Sequence, residues 1–381
     1  MKYQKMALFV FFIASMLLML AACSDSDFKA APGSVFTQCV SDRPEVKCQP
    51  CVNTVDGSIC YDQYDYTIDT MSQPKDILFV VDNSGSMYFE QQRMGNMFPN
   101  FINMLQDVNY RIAITTTDVE VPGNPADNVN GFGAFQNGNL VPFETDRFYL
   151  DGSLAVTSEQ DLFEDTITWE QTDICERNNY VDLFCPSGDE RGILAAYLTM
   201  EKNPDSFIRP IGHMALVILS DEDEGSQGNL IDPSIEEPRN FIAEFKDMYP
   251  NKSLSVHSII IQPGDTQCLN NQRNPGHPPG FYGNTYNELT SLTQDGIQGD
   301  ICASNQNYSA QLEDMGESIS QVREVLPCSP VDGDVQIDFI PEPNFPITYT
   351  LNESQNEIVF SRGLPSGTEV RFRFSCVNSE S

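Results

Sequence analysis

The sequence predicts an α/β protein: a mostly parallel central sheet with helices on both faces, a small C-terminal antiparallel β module, and a Cys-rich N-terminal stalk. Three observations predict it. Short β-branched and apolar runs without polar alternation recur along the middle of the chain, as in strands buried on both faces. Between them, apolar residues return at helical spacing. After Cys328 the hydrophobic period becomes two.

The elements follow in order. Lys2 and Lys5 precede Ala7–Leu20, an almost unbroken apolar run too short to span a bilayer comfortably, so residues 1–22 read as an export signal. Residues 23–70 are polar, Cys-rich and poor in periodicity, a stapled stalk. The main domain covers 71–327. Asp76–Val81 is its first buried strand, and Met94, Met97, Phe98, Phe101, Ile102 and Leu105 then mark a helix that Pro99 should kink or divide. Tyr110–Thr115 is a second strand, followed by a Gly/Asn-rich surface loop over 121–141. Glu190–Lys202 places Ile193, Leu194, Tyr197 and Leu198 on one helical face. Met214–Leu219 and Leu254–Ile261 are further buried strands. Phe241, Phe245 and Met248, then Leu312, Met315, Ile319 and Val322, announce two more helices.

Over 328–381, three sets alternate with polar residues: Val335, Ile337 and Phe339; Ile347, Tyr349 and Leu351; Val370, Phe372 and Phe374. Cys376 shares the parity of Phe372 and Phe374. A Cys328–Cys376 bridge would staple a module that is marginal alone by size.

Eleven cysteines suit an oxidising compartment. Apart from Cys23 they fall in local groups: Cys39, Cys48, Cys51 and Cys60; Cys175 and Cys185; Cys268 and Cys302; Cys328 and Cys376. Cys48-x-x-Cys51 admits a zinc or redox reading, but no His lies near it, and disulfides are expected throughout. The formal net charge of −34 becomes −36 when Lys2 and Lys5 leave with the signal. Such a surface repels phosphate backbones and anionic lipid, which excludes nucleic acid as a partner, and it attracts cations. It also serves solubility without any ligand.

Leu20-Ala21-Ala22-Cys23 resembles a bacterial lipobox. The resemblance implies cleavage before Cys23, its lipidation, and membrane attachment by that anchor alone. Ser24, where an Asp would favour inner-membrane retention, points to the outer membrane.

Directly after the first buried strand comes Asp82-Asn83-Ser84-Gly85-Ser86-Met87. The carboxyl ends of strands in an α/β sheet open into the crevice where ligands bind. A tight turn there aims the Asp82 carboxylate and the Ser84 and Ser86 hydroxyls at one point. Hard oxygens converging in this way suit one divalent cation, magnesium or calcium. Two of these donors are neutral, so the ion keeps positive charge and attracts an acidic side chain from another protein.

Asp-x-Ser-x-Ser after such a strand is similar to the metal-ion-dependent adhesion site of von Willebrand factor A domains, whose fold is Rossmann-like. The likeness covers roughly residues 71–327. It implies a further ligand after the fourth strand, where Leu219-Ser220-Asp221-Glu222-Asp223-Glu224 stands and Asp221 takes the position, acting through water. The family also supplies a Thr just before a helix. This chain has Cys185-Pro186-Ser187-Gly188-Asp189-Glu190-Arg191-Gly192 instead, with Asp189 at the ligand position and Ser187 and Glu190 within reach. A third carboxylate would shift preference toward calcium. Glu190 reads equally as a helix N-terminal charge. Asp223 and Glu224 lack EF-hand spacing and are expected in solvated loop.

These readings imply a divalent-cation-dependent protein-binding or adhesion module displayed on the cell envelope. The alternative is a structural envelope component whose metal only stabilises the fold. A metal-assisted hydrolase fits less well, because His213, His257 and His277 lack metal-ligand or nucleophile–base spacing.

Overall fold

The computed structural model describes residues 35–38, 49–54, 57–69, 73–105, 108–120, 135–179, 185, 189–225, 231–273, 280–293, 295–352, 356–361, 364 and 367–377, with side chains from Gln63 onward. The signal segment, Cys23, Ser187 and His277, and the side chains of Cys39, Cys48, Cys51 and Cys60, lie outside the described residues. The chain divides into two compact units. One comprises Met1–Thr67, Cys328–Phe339 and Val370–Ser381; the other comprises Ile68–Pro327 and Ile340–Glu369.

The larger unit is built on five strands: β1 (Lys75–Val81), β2 (Tyr110–Thr116), β3 (Gly212–Leu219), β4 (Lys252–Ile260) and β5 (Gln298–Asp300). They lie in the order β2-β1-β3-β4-β5, and every neighbouring pair is parallel. Because side chains alternate across a sheet, Ile77, Phe79 and Val81 enter one core while Leu78 and Val80 enter a second.

The first core is closed by α1 (Tyr88–Ile102), α2 (Val156–Ile167) and α8 (Asn305–Ser320). Phe98 stacks on Phe163 with centroids 3.6 Å apart, and Phe79 meets Phe163 edge-on at 5.0 Å. Gly95 permits this approach, since a Cβ there would stand 3.0 Å from Glu164 Cγ. The second core is closed by α4 (Gly192–Lys202), α5 (Pro238–Met248) and α7 (Asn284–Leu292), through Ile193, Ala196, Phe241, Phe245, Tyr286 and Leu289. Two short helices, α3 (Glu170–Arg177) and α6 (Thr266–Gln272), complete the unit. The expected doubly covered parallel sheet is therefore present.

Pro99 does not divide α1. It stands near the carboxyl end, the helix runs on to Ile102, and a 3₁₀ turn follows over Asn103–Leu105. Its missing N–H removes one bond, that to the Gly95 carbonyl four residues back, toward the end of the helix.

The C-terminal stretch differs from the single module expected over 328–381. Its middle joins the α/β unit as a three-stranded antiparallel sheet of β6 (Arg323–Val325), β7 (Tyr349–Asn352) and β8 (Glu357–Phe360), in the order β7-β8-β6. Ile358, Val359 and Phe360 are buried there, whereas Tyr349, one of the alternating apolar residues, is exposed. The flanking strands Pro330–Ile340 and Glu369–Val377 instead belong to a five-stranded sheet with Val35–Gln38, Gln49–Thr54 and Gly57–Asp69. The stretch read as stalk thus supplies strands to this sheet. In that smaller unit Tyr64 stacks on Phe374 at 5.0 Å, and Arg371 grips Asp65 through two bonds of 2.8 and 2.7 Å. Period-two strands each bury one face, and a few alone cannot bury enough surface to stand independently. Of the expected disulfides, Cys175–Cys185, Cys268–Cys302 and Cys328–Cys376 are formed.

Candidate metal centre

From β1 the chain leaves toward β2 at one edge, and from β3 it leaves toward β4 in the opposite direction. Diverging connections of this kind mark the carboxyl strand ends where such sheets bind ligands. Asp82 follows β1 and Ser220-Asp221 follows β3, and the Asp82 N–H donates to the Leu219 carbonyl at 2.9 Å.

The turn is written by its side chains. Asp82 Oδ1 accepts the Ser84 N–H at 2.8 Å, an Asx turn, and Oδ2 accepts the Ser220 hydroxyl at 2.6 Å. Ser84 Oγ lies 3.0 Å from Ser86 Oγ, which donates to Asp221 Oδ1 at 3.0 Å. Asp82, Ser84, Ser86 and Asp221, drawn from two strand ends, therefore form one buried hydrogen-bonded group.

Residues without any motif hold this turn from behind. Gln91 Nε2 donates to the Asp82 carbonyl at 2.8 Å, while its Oε1 accepts the Trp169 N–H at 3.0 Å. The Thr172 hydroxyl donates to the Asn83 carbonyl at 2.7 Å, and α3, which carries Thr172, is fastened by the Cys175–Cys185 bond. Gln91 offered one sequence signal: a polar residue three positions before Met94, on the apolar face of its helix. Ser220 and Thr172 offered none.

Electrostatics single out the same place. Burial raises the Asp82 carboxyl to about 6, against the downward pull of its bonds from Ser220 and Ser84. Burial, then the Asp82 and Glu222 carboxyls, push Asp221 well above the aspartate range. Burial, then Glu222, Asp82 and Asp221, do the same to Glu190. Asp221 Oδ2 and Glu190 Oε2 are buried without a hydrogen-bond partner. Orphaned buried carboxylate oxygens are costly, and a hard cation relieves that cost. An all-oxygen set of carboxylates and hydroxyls fits magnesium or calcium.

The loop before α4 sorts its acids differently from the sequence alignment. Asp189 stands where the family motif would put a ligand, but its Oδ2 takes Arg191 Nε and Nη2, both at 2.8 Å, and Arg191 Nη1 reaches Glu236 Oε1 at 2.8 Å. Asp189 is thus paired with the Arg191 guanidinium through one carboxylate oxygen. Its neighbour Glu190, bridged through the backbone to Asp118, is the acid that feels Asp82 and Asp221. Thr117 braces this loop by accepting the Arg191 N–H at 3.0 Å. Thr115, at the same sheet edge, donates to the Asn139 carbonyl instead.

The acidic run after Asp221 is not solvated loop. Glu222 and Glu224 are buried. Glu224 accepts the Ile193 and Leu194 N–H groups at 2.8 and 3.1 Å, capping α4, and Asp223 accepts the Thr285 N–H at 2.9 Å at the start of α7. Helix N-termini with free N–H groups take carboxylates readily.

Two further clusters carry no such chemistry. The one trio of His, Cys or carboxylate ligand atoms within 4.8 Å among the described residues is Cys268, Asp300 and Cys302, whose sulfurs are joined to each other. His213 and His257 belong to a buried chain with Ser253 and Ser255. His213 pairs in register with Lys75, at the opposite end of the strands from Leu219 and Val81. Burial depresses both rings, His257 to about 3.

No protein-family profile and no curated protein matches the chain. Solved structures similar to it include the pilus adhesin SpaC from Lactobacillus rhamnosus GG in its open conformation, at 10% identity and a TM-score of 0.34. That match covers 92% of this chain and 45% of the adhesin, so the chain spans less than half of that protein's length. Another is the ArnB paralog VWA2 from Sulfolobus acidocaldarius, at 10% identity and a TM-score of 0.29, covering 91% of this chain and 67% of the other. The fold assignment rests on strand order and helix layers.

Proposed function

We propose that this chain is an envelope lipoprotein whose von Willebrand factor A-like domain binds a divalent cation, magnesium or calcium, and through it an acidic side chain of a partner protein. The carrying observation is the Asp82–Ser84–Ser86–Asp221 group at the switch point of the sheet, with Asp221 Oδ2 buried and unpartnered. Ser84 and Ser86 would face the ion as neutral donors, leaving it net positive, and Gln91, Ser220 and Thr172 would hold the turn rigid. The Lys2–Cys23 leader supports envelope display, and the acidic surface speaks against nucleic acid. The bound ion serves recognition rather than catalysis in this reading, since His213 sits at the far strand end and His257 is held in a buried chain with Ser255.

The test compares wild type and Asp82→Ala in melting temperature with chelator, with magnesium and with calcium, and in binding to immobilised envelope extract. The expected result is a cation-dependent rise in melting temperature and chelator-sensitive binding, both lost in the variant. Melting temperatures indifferent to either cation would overturn the reading.

A further inference from the structure

Strand β4 is polar on one face toward its amino end. Ser253, Ser255 and His257 stand two residues apart, so they share the face that Ile259 gives to the first core, and His213 of β3 pairs in register with Ser253. All four are at most 5% exposed. Buried polar side chains need partners, and these find one another.

A fixed donor gives the chain a direction. The Ile297 N–H, which can only donate, gives its proton to His257 Nδ1 at 3.3 Å. The neutral ring then carries its own proton on Nε2 and donates to Ser255 Oγ at 3.1 Å. The Ser255 hydroxyl is left to donate to His213 Nε2 at 2.9 Å, so His213 is protonated on Nδ1 and donates to Ser253 Oγ at 2.7 Å. The Ser253 hydroxyl is directed in turn at the Glu357 carboxyl of β8, which is fully buried and has no other hydrogen-bond partner. The chain thus runs from the turn before β5, across β4 and β3, to the C-terminal sheet.

A second ring proton has no place in it. On His213 it would turn Nε2 into a donor facing Ser255, whose hydroxyl proton would lose its acceptor. It would also add a positive charge among Arg323 of β6, Lys75 of β1 and Lys252 of β4, with His257 nearby and the Glu357 carboxyl next along the chain. Asp76 and Asp295 are already paired, Asp76 with Lys252 and Arg209 at 2.6 and 2.7 Å and Asp295 with Arg323 at 2.9 Å.

We propose that this chain is an acid-sensitive latch: it holds β6 and β8 on the amino ends of β3 and β4 while His213 is neutral, and it opens locally when His213 takes a second proton. An unconstrained histidine titrates near 6.5, and burial, then the surrounding cations, hold His213 well below that in the closed form. The contribution of the latch is therefore complete above 6.5 and is lost as pH falls below it, opening rising about tenfold for each further pH unit. His213 lies at the opposite strand end from the metal centre, and the latch stands independently of the function proposed above.

The experiment follows hydrogen exchange in the full mature chain from pH 7 to pH 4.5, corrected for the intrinsic pH dependence of exchange. The reporter is β8, where the Phe360 N–H donates to the Val322 carbonyl at 3.1 Å, and the control is β1. Wild type is compared with His213→Gln, which keeps a donor and an acceptor and cannot titrate. Protection of β8 in wild type is expected to fall about tenfold per pH unit below pH 6 relative to the variant, while β1 stays protected. Equal pH slopes in the two proteins, or loss in β1 along with β8, would overturn the latch. Wild type labelled with ¹⁵N-histidine gives a second reading free of any variant: at pH 7 His213 should carry its proton on Nδ1 and His257 on Nε2, and the opposite tautomer at either ring overturns the proposal.

Discussion

Replacing Asp82 by Asn should stabilise the metal-free protein at neutral pH and destabilise the metal-loaded one relative to wild type. The reasoning starts from burial. An ordinary aspartate titrates near 3.8, and Asp82 in the fold is raised to about 6. A carboxyl whose folded value is raised binds its proton more tightly when folded. Its contribution is therefore fully present below pH 3.8 and is lost as pH rises through 6. At about 1.4 kcal/mol per pH unit, the loss is about 3 kcal/mol by neutral pH. Asn keeps an acceptor for the Ser84 N–H and cannot ionise. In chelator, wild type and Asp82→Asn should melt close together at pH 4. At pH 7.5 the variant should melt higher by about 6–12 °C, taking about 2–4 °C per kcal/mol for a domain of this size. Saturating magnesium or calcium should reverse the order, since a ligand at a hundred times its Kd contributes about 3 kcal/mol to the form that binds it. Differential scanning calorimetry across pH, with chelator and with each cation, reads all three. An Asp82→Asn protein that melts below wild type in chelator at pH 7.5 would refute the charge argument.

Three other outcomes follow from separate parts of the molecule. Phe163→Ala opens the stack with Phe98 and the edge contact with Phe79, and should cost about 3–5 kcal/mol in urea unfolding without changing cation affinity. Glu224→Ala removes the carboxylate that takes the Ile193 and Leu194 N–H groups, and should cost about 1 kcal/mol in the same assay, again with cation affinity unchanged. Cys23→Ser should abolish labelling by radioactive palmitate in a bacterial host and release the protein from the membrane fraction; labelling that survives would remove the lipoprotein reading.

The parts of the fold legible in the sequence were those whose pattern is set locally. Asp76–Val81 and Met214–Leu219 read as buried strands because nothing polar interrupts Ile77–Val81 or Met214–Leu219, Tyr110–Thr115 reads as a strand through Ile112, Ala113 and Ile114, and each falls within an observed strand. The helices over 156–167 and 170–177 went unread because their buried contacts are few: Phe163 and Ile167 in one, Thr172 and Cys175 in the other. The C-terminal strands were seen but their partners were not. Period two says that one face is covered and is silent on what covers it. Thus Val370, Phe372 and Phe374 found a neighbour in Gly57–Asp69, about three hundred residues away, while Ile358 and Phe360 turned to the α/β unit.

The candidate site divides along the same line. Asp82, Ser84 and Ser86 are legible because a turn brings i, i+2 and i+4 together without help, and Asp221 because strand ends in a parallel sheet share one edge. Which acid of Asp189-Glu190 faces that edge cannot be told from spacing, because adjacent residues point apart and the choice belongs to Arg191. Its guanidinium, fully buried, takes Asp189 on one side and Glu236 on the other. Breaking a buried pair leaves an uncompensated charge, so Arg191 keeps Asp189 and Glu190 takes the other direction. The acids after Asp221 obey the same accounting of N–H groups and charge. Asp223 and Glu224 are drawn to helix starts that offer unpaired donors, and Glu222 is left facing Glu190. The acids expected in solvated loop, Asp223 and Glu224, are instead held by tertiary partners at two helix starts.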